Sequence, residues 1–275
     1  LLTKRKGLII PTIVMFKSTR RGEFMGPFFL FVYLILGGIL GGLLSTIASM
    51  ASLATYPILL SVGIPPVYAN TTNDAALIWT GVGSTASSLK ELKGHWKEVI
   101  FYSIFTIVGS ALGCMLLIQF PGKIFEKIVP FCIAFSGLMI LFSGEVHLEK
   151  DGNNRLLQLI SLLCLVITGI YAGYFGAASG VLMLVILNAI SDDDFLTVNA
   201  MKNIIGALSN LVALIIYMFT AKIYWNSAIP LAIGALIGSY FGPQIMRHIP
   251  VKVIRLGIAI LALIQAAYFA YTAYR

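Results

Sequence analysis

The chain has 275 residues, 59% hydrophobic and 11% charged, with a formal net charge of +8. Soluble domains carry about 25% charged residues, so this composition, with a mean hydropathy of +0.93, excludes an ordinary soluble domain. The apolar runs are long and continuous rather than alternating, which excludes a transmembrane β-barrel and leaves an all-α polytopic membrane protein.

Taken in order, the chain opens with a basic segment, 1–26. Lys4, Arg5, Lys6, Lys17, Arg20 and Arg21 supply six of the nineteen basic residues. Such a segment marks a cytoplasmic end or headgroup contact rather than nucleic-acid binding. Its short apolar run, Leu8–Phe16, contains Pro11 and lacks a small-residue cleavage pattern, so it is not read as a signal peptide.

Apolar runs follow at about 27–63, 66–89, 98–118, 124–143, 156–190, 195–220, 226–246 and 251–273. Pro65-Pro66, the charged Lys90–Glu98 loop, Pro121-Gly122, the hydrophilic Gly144–Arg155 loop, Asp192–Asp194, Lys222 and His248–Pro250 separate them. Most runs are one span long. The first and fifth exceed the ~20 residues that cross a bilayer and are too short for two full crossings and a turn. Both hold small residues in the middle, Ser45–Ser52 and Gly173–Gly180. Each is expected to break or re-enter near the midplane.

The two halves resemble each other. Asn70 and Asn199, Trp96 and Trp225, and Pro121 and Pro250 are each 129 positions apart. Gly109-Ser110-Ala-Leu-Gly113 matches Gly238-Ser239-Tyr-Phe-Gly242 at the same offset, and Pro57–Leu60 matches Leu184–Leu187 at 127. The expected organisation is therefore a first transmembrane repeat over 27–143, a connecting loop over 144–155 and a second repeat over 156–275. Duplicated halves with interrupted helices mark secondary transporters, with the site between the repeats.

That register picks out a candidate site. Asn199, Lys202, Asn203, Ser209 and Asn210 share one face of an otherwise apolar helix, and Lys202 is the only basic residue between Asp194 and Lys222. At helical rise it lies roughly 12 Å beyond Asp194, approaching mid-bilayer. A charge there costs about 3 kcal/mol or more unless a partner or water meets it. The matching stripe of the first half holds Asn70, Asn73 and Asp74. Ser49, Ser52 and Ser179 of the broken runs complete the candidate binding residues. An Asp74–Lys202 pair holding two helices together is one reading. The other is that Lys202 and the amides bind an anion while Asp74 tunes Lys202 or carries a coupling proton.

Other residues carry less. Cys114, Cys132 and Cys164 fall in apolar runs and are read as buried small hydrophobes. Trp96 and Trp225 are read as interfacial anchors. His95, His147 and His248 show no metal-ligand spacing, and no metal site is expected from it. The GxxxxGK[ST] phosphate loop is absent, which disfavours ATP-driven transport by this chain alone. An embedded enzyme would need a nucleophile–base pair or metal cluster at depth, where only Asp74, Lys202 and scattered Ser and Thr are found. No catalytic residue and no cofactor are expected. A passive anion channel could line its pore with the same stripe.

The ordered set of a small-residue break, a Pro-Ile-Leu-Leu-like run, an Asn-rich helix start (Tyr68–Asp74; Val198–Ile204), a loop ending in Trp and a Gly-Ser-x-x-Gly span occurs twice. It resembles the TauE/SafE family of sulfite and organosulfonate exporters over nearly all of 30–273. The resemblance implies ATP-independent transport of a small sulfur-containing or organic anion across a bacterial or archaeal plasma membrane. The first break departs from the family's usual glycines by carrying Ser and Ala. The expected partners are the bilayer, a small anion and a coupling proton or cation, with a homodimer left open and nucleic acid not expected.

Two topologies compete. Eight single crossings concentrate the loop lysines and arginines on one side. Two hairpins weaken that bias but make the halves inverted. Run length favours hairpins, and the Lys90–Lys97 loop is then expected to be extracytoplasmic.

Overall fold

The computed structural model describes residues 26–119, 127–131, 133–135, 138, 155–176, 179–191, 193–246, 248 and 251–274. The basic segment up to residue 25, the Pro121-Gly122 and Pro250 breaks, Cys132, the 144–154 stretch and much of the fourth apolar run lie outside these residues. Among the described residues all regular structure is helical, with no strand. In chain order the long elements are α1 (Pro27–Ala48), α2 (Ser52–Ser61), α3 (Pro66–Ser87), α4 (Trp96–Gln119), α5 (Arg155–Tyr174), α6 (Ser179–Ile190), α7 (Phe195–Thr220), α8 (Trp225–Met246) and α9 (Val251–Tyr274). The protein is a multi-pass membrane protein. By length and composition, α1, α4, α7 and α8 are each able to cross a membrane.

The first and fifth runs are broken. α1 ends at Ser49, the one non-glycine residue with positive φ (61°) among those described. α5 ends before Gly176, at φ 75°. Both lie in the left-handed region, which turns a chain out of a helix. α2 then runs back along α1, because Gly41 faces Thr55 and Gly37 faces Ile58. At 10 and 12 residues, α2 and α6 are about 15 and 18 Å long, half the hydrocarbon thickness. α6 returns beside α5, with Leu187 in one apolar cluster with Leu165 and Val198.

Glycine allows the long helices to touch backbone to backbone. A Cβ at Gly38 would lie 2.1 Å from the Leu231 carbonyl oxygen, and one at Gly42 would lie 2.3 Å from that of Ala235. Residue numbers rise together along this contact, so α1 and α8 run parallel. Gly109 against Val166 and Gly113 against Ile170 make α4 and α5 parallel in the same way. α3 and α7 run in opposite directions. Gly81 lies against Asn203 and Ala207, whereas Asn70 and Tyr217 meet at the end of α5, bonding the carbonyls of Tyr174 and Gly173.

Helix starts follow the sequence offsets. α3 and α7, and likewise α4 and α8, begin 129 positions apart, while α2 and α6 begin 127 apart. Ser49 and Gly176, the two left-handed residues at the breaks, are also 127 apart. The packing is reciprocal too, with α1 on α8, α5 on α4, and α3 on α7. The outer surface is apolar. Ile104, Val108, Leu112 and Met115 form an exposed stripe along α4 at helical spacing, facing the bilayer.

With these directions the 88–95 loop and the 191–194 turn share one face, and the 221–224 loop lies on the other. Lys93→Cys and Lys222→Cys, in a background without native cysteines, should therefore be labelled from opposite sides by an impermeant maleimide. Lys93→Cys is expected to react in intact cells. Equal reactivity of both sites there would refute the hairpin topology.

Candidate functional site

The two broken helices bring four helix ends to one place. The C-terminal turns of α1 and α5 arrive there, and α2 and α6 start from it. The hairpin tips touch, with a Cβ at Gly180 lying 2.9 Å from the Ser49 Cβ. Beside them is a cavity of about 70 Å³, enough for a few water molecules or a compact ion. Its polar lining comes from Ser45, Ser49, Ser52, Asp74, Thr80, Ser179, Lys202, Asn203, Ser209 and Asn210.

Lys202 reaches this cavity from the second turn of α7 and is only 3% exposed. Its Nζ donates to Ser49 Oγ at 2.6 Å and to the Ser45 carbonyl at 3.4 Å. The ammonium thus sits at the C-terminal end of α1, where the helix dipole favours a cation. Asp74 of α3 lines the same cavity and is 3% exposed. Its Oδ2 has no hydrogen-bond partner, and Asp74 makes no ion pair, among the described residues. The Asp74–Lys202 pair considered from the sequence is thus not formed within them. The matching position on α7, Asn203, also has its Nδ2 without a hydrogen-bond partner among the described residues.

Three of the sequence candidates lie beside the cavity rather than in its lining. Asn199 Nδ2 donates to the Thr46 carbonyl in the last turn of α1 at 3.3 Å. Asn70 Nδ2 donates to the Tyr174 carbonyl at the end of α5 at 3.4 Å. Each Asn therefore bonds a carbonyl in the last turn of a broken helix, and each does so in the other half. Asn73 stays within its own half. Its Nδ2 donates to Ser52 Oγ at 3.0 Å, and its Oδ1 accepts from Thr55 Oγ1, which pins the start of α2. Ser49, Ser52, Asp74, Ser179, Lys202, Asn203, Ser209 and Asn210 all line the cavity. Ser45 and Thr80 line it as well, unnoticed in the sequence. Ser45 lies within the small-residue break, but Thr80 sits off the Asn-Asp spacing and carries no signal of its own.

The family model for the sulfite exporter TauE/SafE matches residues 34–269. The chain belongs to that family. A "probable membrane transporter protein" of Haemophilus influenzae is 26% identical over 235 residues, covering 85% of this chain and 92% of the relative. The "probable membrane transporter protein YfcA" of Escherichia coli K12 is 23% identical, with 84% and 86% covered. The "probable membrane transporter protein ORF9" of a Sinorhizobium species is also 23% identical, with 83% and 87% covered. No solved structure matches the chain. Family and relatives make this TauE/SafE chain a membrane transporter.

The crossed amide bonds generate a stability prediction. Asn199→Ala removes a donor from the buried Thr46 carbonyl and Asn70→Ala removes a part-buried bond to the Tyr174 carbonyl, each a loss of about 1–3 kcal/mol. Each variant should melt several degrees below wild type in detergent. The double variant should fall by close to the sum, because the two bonds lie at different helix ends. Unchanged melting temperatures would show that other groups satisfy these carbonyls.

Proposed function

We propose that this protein is a secondary transporter that moves a small sulfur-containing or organic anion, of the sulfite or organosulfonate kind, by alternating access. The anion binds between the two halves, beside Lys202. The observation that carries this reading is the placement of the Lys202 ammonium, with Asn203, Asn210 and serine hydroxyls, on a small polar cavity where two hairpin tips meet. Ammonium and carboxamide donors match the oxygens of a compact anion, and the starts of α2 and α6 add the positive ends of two helix dipoles. Ser49 Oγ holds the ammonium when the anion is away. On binding, the anion takes over one or more of the ammonium protons. The opposite directions of α3 and α7, with one hairpin in each half, support an inverted pair of units that rock about this point. Asp74 faces the same cavity and is the group that tunes Lys202 or takes up a coupling proton.

Substitution at Lys202 tests the assignment. Loss of a charged hydrogen-bond donor costs about 1.5–3 kcal/mol, so Lys202→Ala should weaken anion binding about 10–100-fold. Lys202→Ala/Asp74→Asn removes both buried charges and should be monodisperse yet inactive. Lys202→Arg should also be impaired, because a planar guanidinium replaces a compact ammonium. Transport restored in the double variant would overturn the role of Lys202. A thermal-shift panel of sulfite, sulfate, thiosulfate, taurine, sulfoacetate and small carboxylates identifies the anion, since a ligand at 100 times its Kd stabilises the fold by about 2.7 kcal/mol. Counterflow in proteoliposomes distinguishes the carrier, which exchanges labelled for unlabelled anion, from a passive channel, which does not.

A further inference from the structure

On the face of the protein that carries the 88–95 loop, two side chains one helical turn apart meet a third from the other half. His95 precedes α4, Glu98 lies in its first turn, and Asp193 lies two residues before α7. His95 Nδ1 is 3.3 Å from Glu98 Oε2 and 3.3 Å from Asp193 Oδ2, and the three atoms all lie within 4.8 Å of one another. Histidine and aspartate are about three-quarters buried, and the glutamate is half exposed.

Hydrogen bonding accounts poorly for this arrangement. One ring nitrogen carries at most one proton, yet it stands equally far from two carboxylate oxygens. A charge-assisted N–H···O bond is about 2.7–2.9 Å long, so neither contact has the length of a committed one. A metal accounts for it better. Donor atoms about 2.0–2.1 Å from a tetrahedral cation are about 3.3 Å from each other, which is the separation found twice here. The ligating Asp193 oxygen is also held by a hydrogen bond of its own, as metal-binding carboxylates usually are. Ser191 Oγ donates to its Oδ2 at 2.5 Å and accepts from the Asp193 backbone N–H at 3.2 Å.

We propose that His95 Nδ1, Glu98 Oε2 and Asp193 Oδ2 form a binding site for a first-row divalent cation of the Zn²⁺ class. Three protein ligands of this kind leave a fourth position for water or another donor. One imidazole and two carboxylates suit Zn²⁺, Co²⁺ or Mn²⁺ and offer no soft sulfur ligand. The cation clips the loop before α4 to the turn that begins α7, the helix carrying Lys202. Histidine spacing along the chain could not show this site, because its two other ligands are carboxylates and one comes from the opposite half.

Cobalt is the probe. Purified full-length protein is titrated with Co²⁺, following visible absorbance and melting temperature. Wild type should take up one ion per chain with the strong absorption of four-coordinate Co²⁺, and its melting temperature should rise. His95→Ala and Asp193→Asn should lose both responses. Ser191→Ala should keep the site but bind about 10–100-fold more weakly. Glu98→Gln keeps the size of a half-exposed side chain, so its loss of Co²⁺ affinity at an unchanged metal-free melting temperature would separate ligation from folding. Absence of the absorption in wild type, or its persistence in His95→Ala, would overturn the proposal. Neither result bears on the role of Lys202, which lies in the buried cavity.

Discussion

A helix that stops inside a bilayer leaves carbonyl groups with no donor of their own and no bulk water to replace it. That constraint shapes the centre of this protein. Where α1 and α5 break off, side chains bond their last carbonyls: Asn199 on Thr46, Asn70 on Tyr174, and Lys202 on Ser45, whose carbonyl also accepts from the Ser49 N–H. Two of these bonds match under exchange of the halves and one does not. The matched pair holds the two breaks in place. The unmatched one puts a charge on one side of the cavity, so a scaffold with near-symmetric helix order surrounds a cavity with an asymmetric polar lining.

The outer helices contribute rigidity by a different route. Lipid offers no hydrophobic gain when two apolar helices meet, so close backbone contact has to supply the attraction. Gly38 and Gly42 on α8, and Gly109 and Gly113 against α5, supply it in equivalent places. These contacts extend to the ends of the broken helices, with Gly173 on Ser110 and Gly242 on Thr46.

Much of this was legible in the sequence. Run length and the small-residue centres located both breaks, because a run of about 35 residues fits neither one crossing nor two. The constant offsets placed the helix starts. Less visible was which part of a polar stripe faces what. Asn70, Asn73, Lys202 and Asn199 have the spacing of a single face, but a face is wide enough to meet both the cavity and the neighbouring hairpin. Spacing could not say that Asn73 would turn to Ser52 and Thr55 while Lys202, at the matching position, would cross to Ser49. Nor could it reveal that Ser49 itself would adopt the left-handed conformation. A serine there is strained by about 1–2 kcal/mol where glycine would not be, yet its hydroxyl accepts from the ammonium, which glycine could not do. The serine that looks like a departure from a glycine-rich break is the one whose side chain does so.

The crossed bonds also set a timetable for biogenesis. The donor for the Thr46 carbonyl is Asn199, 153 residues downstream. At translation speeds of about 5–20 residues per second, the first hairpin waits roughly 8–30 s for that side chain to be made, and longer for α8, against which α1 packs. During that interval its broken end has to be satisfied by something other than this protein. Water held in a lateral opening of the insertion machinery, or a chaperone with polar side chains at membrane depth, has the required chemistry. The second half thus supplies a bond that the end of the first hairpin needs.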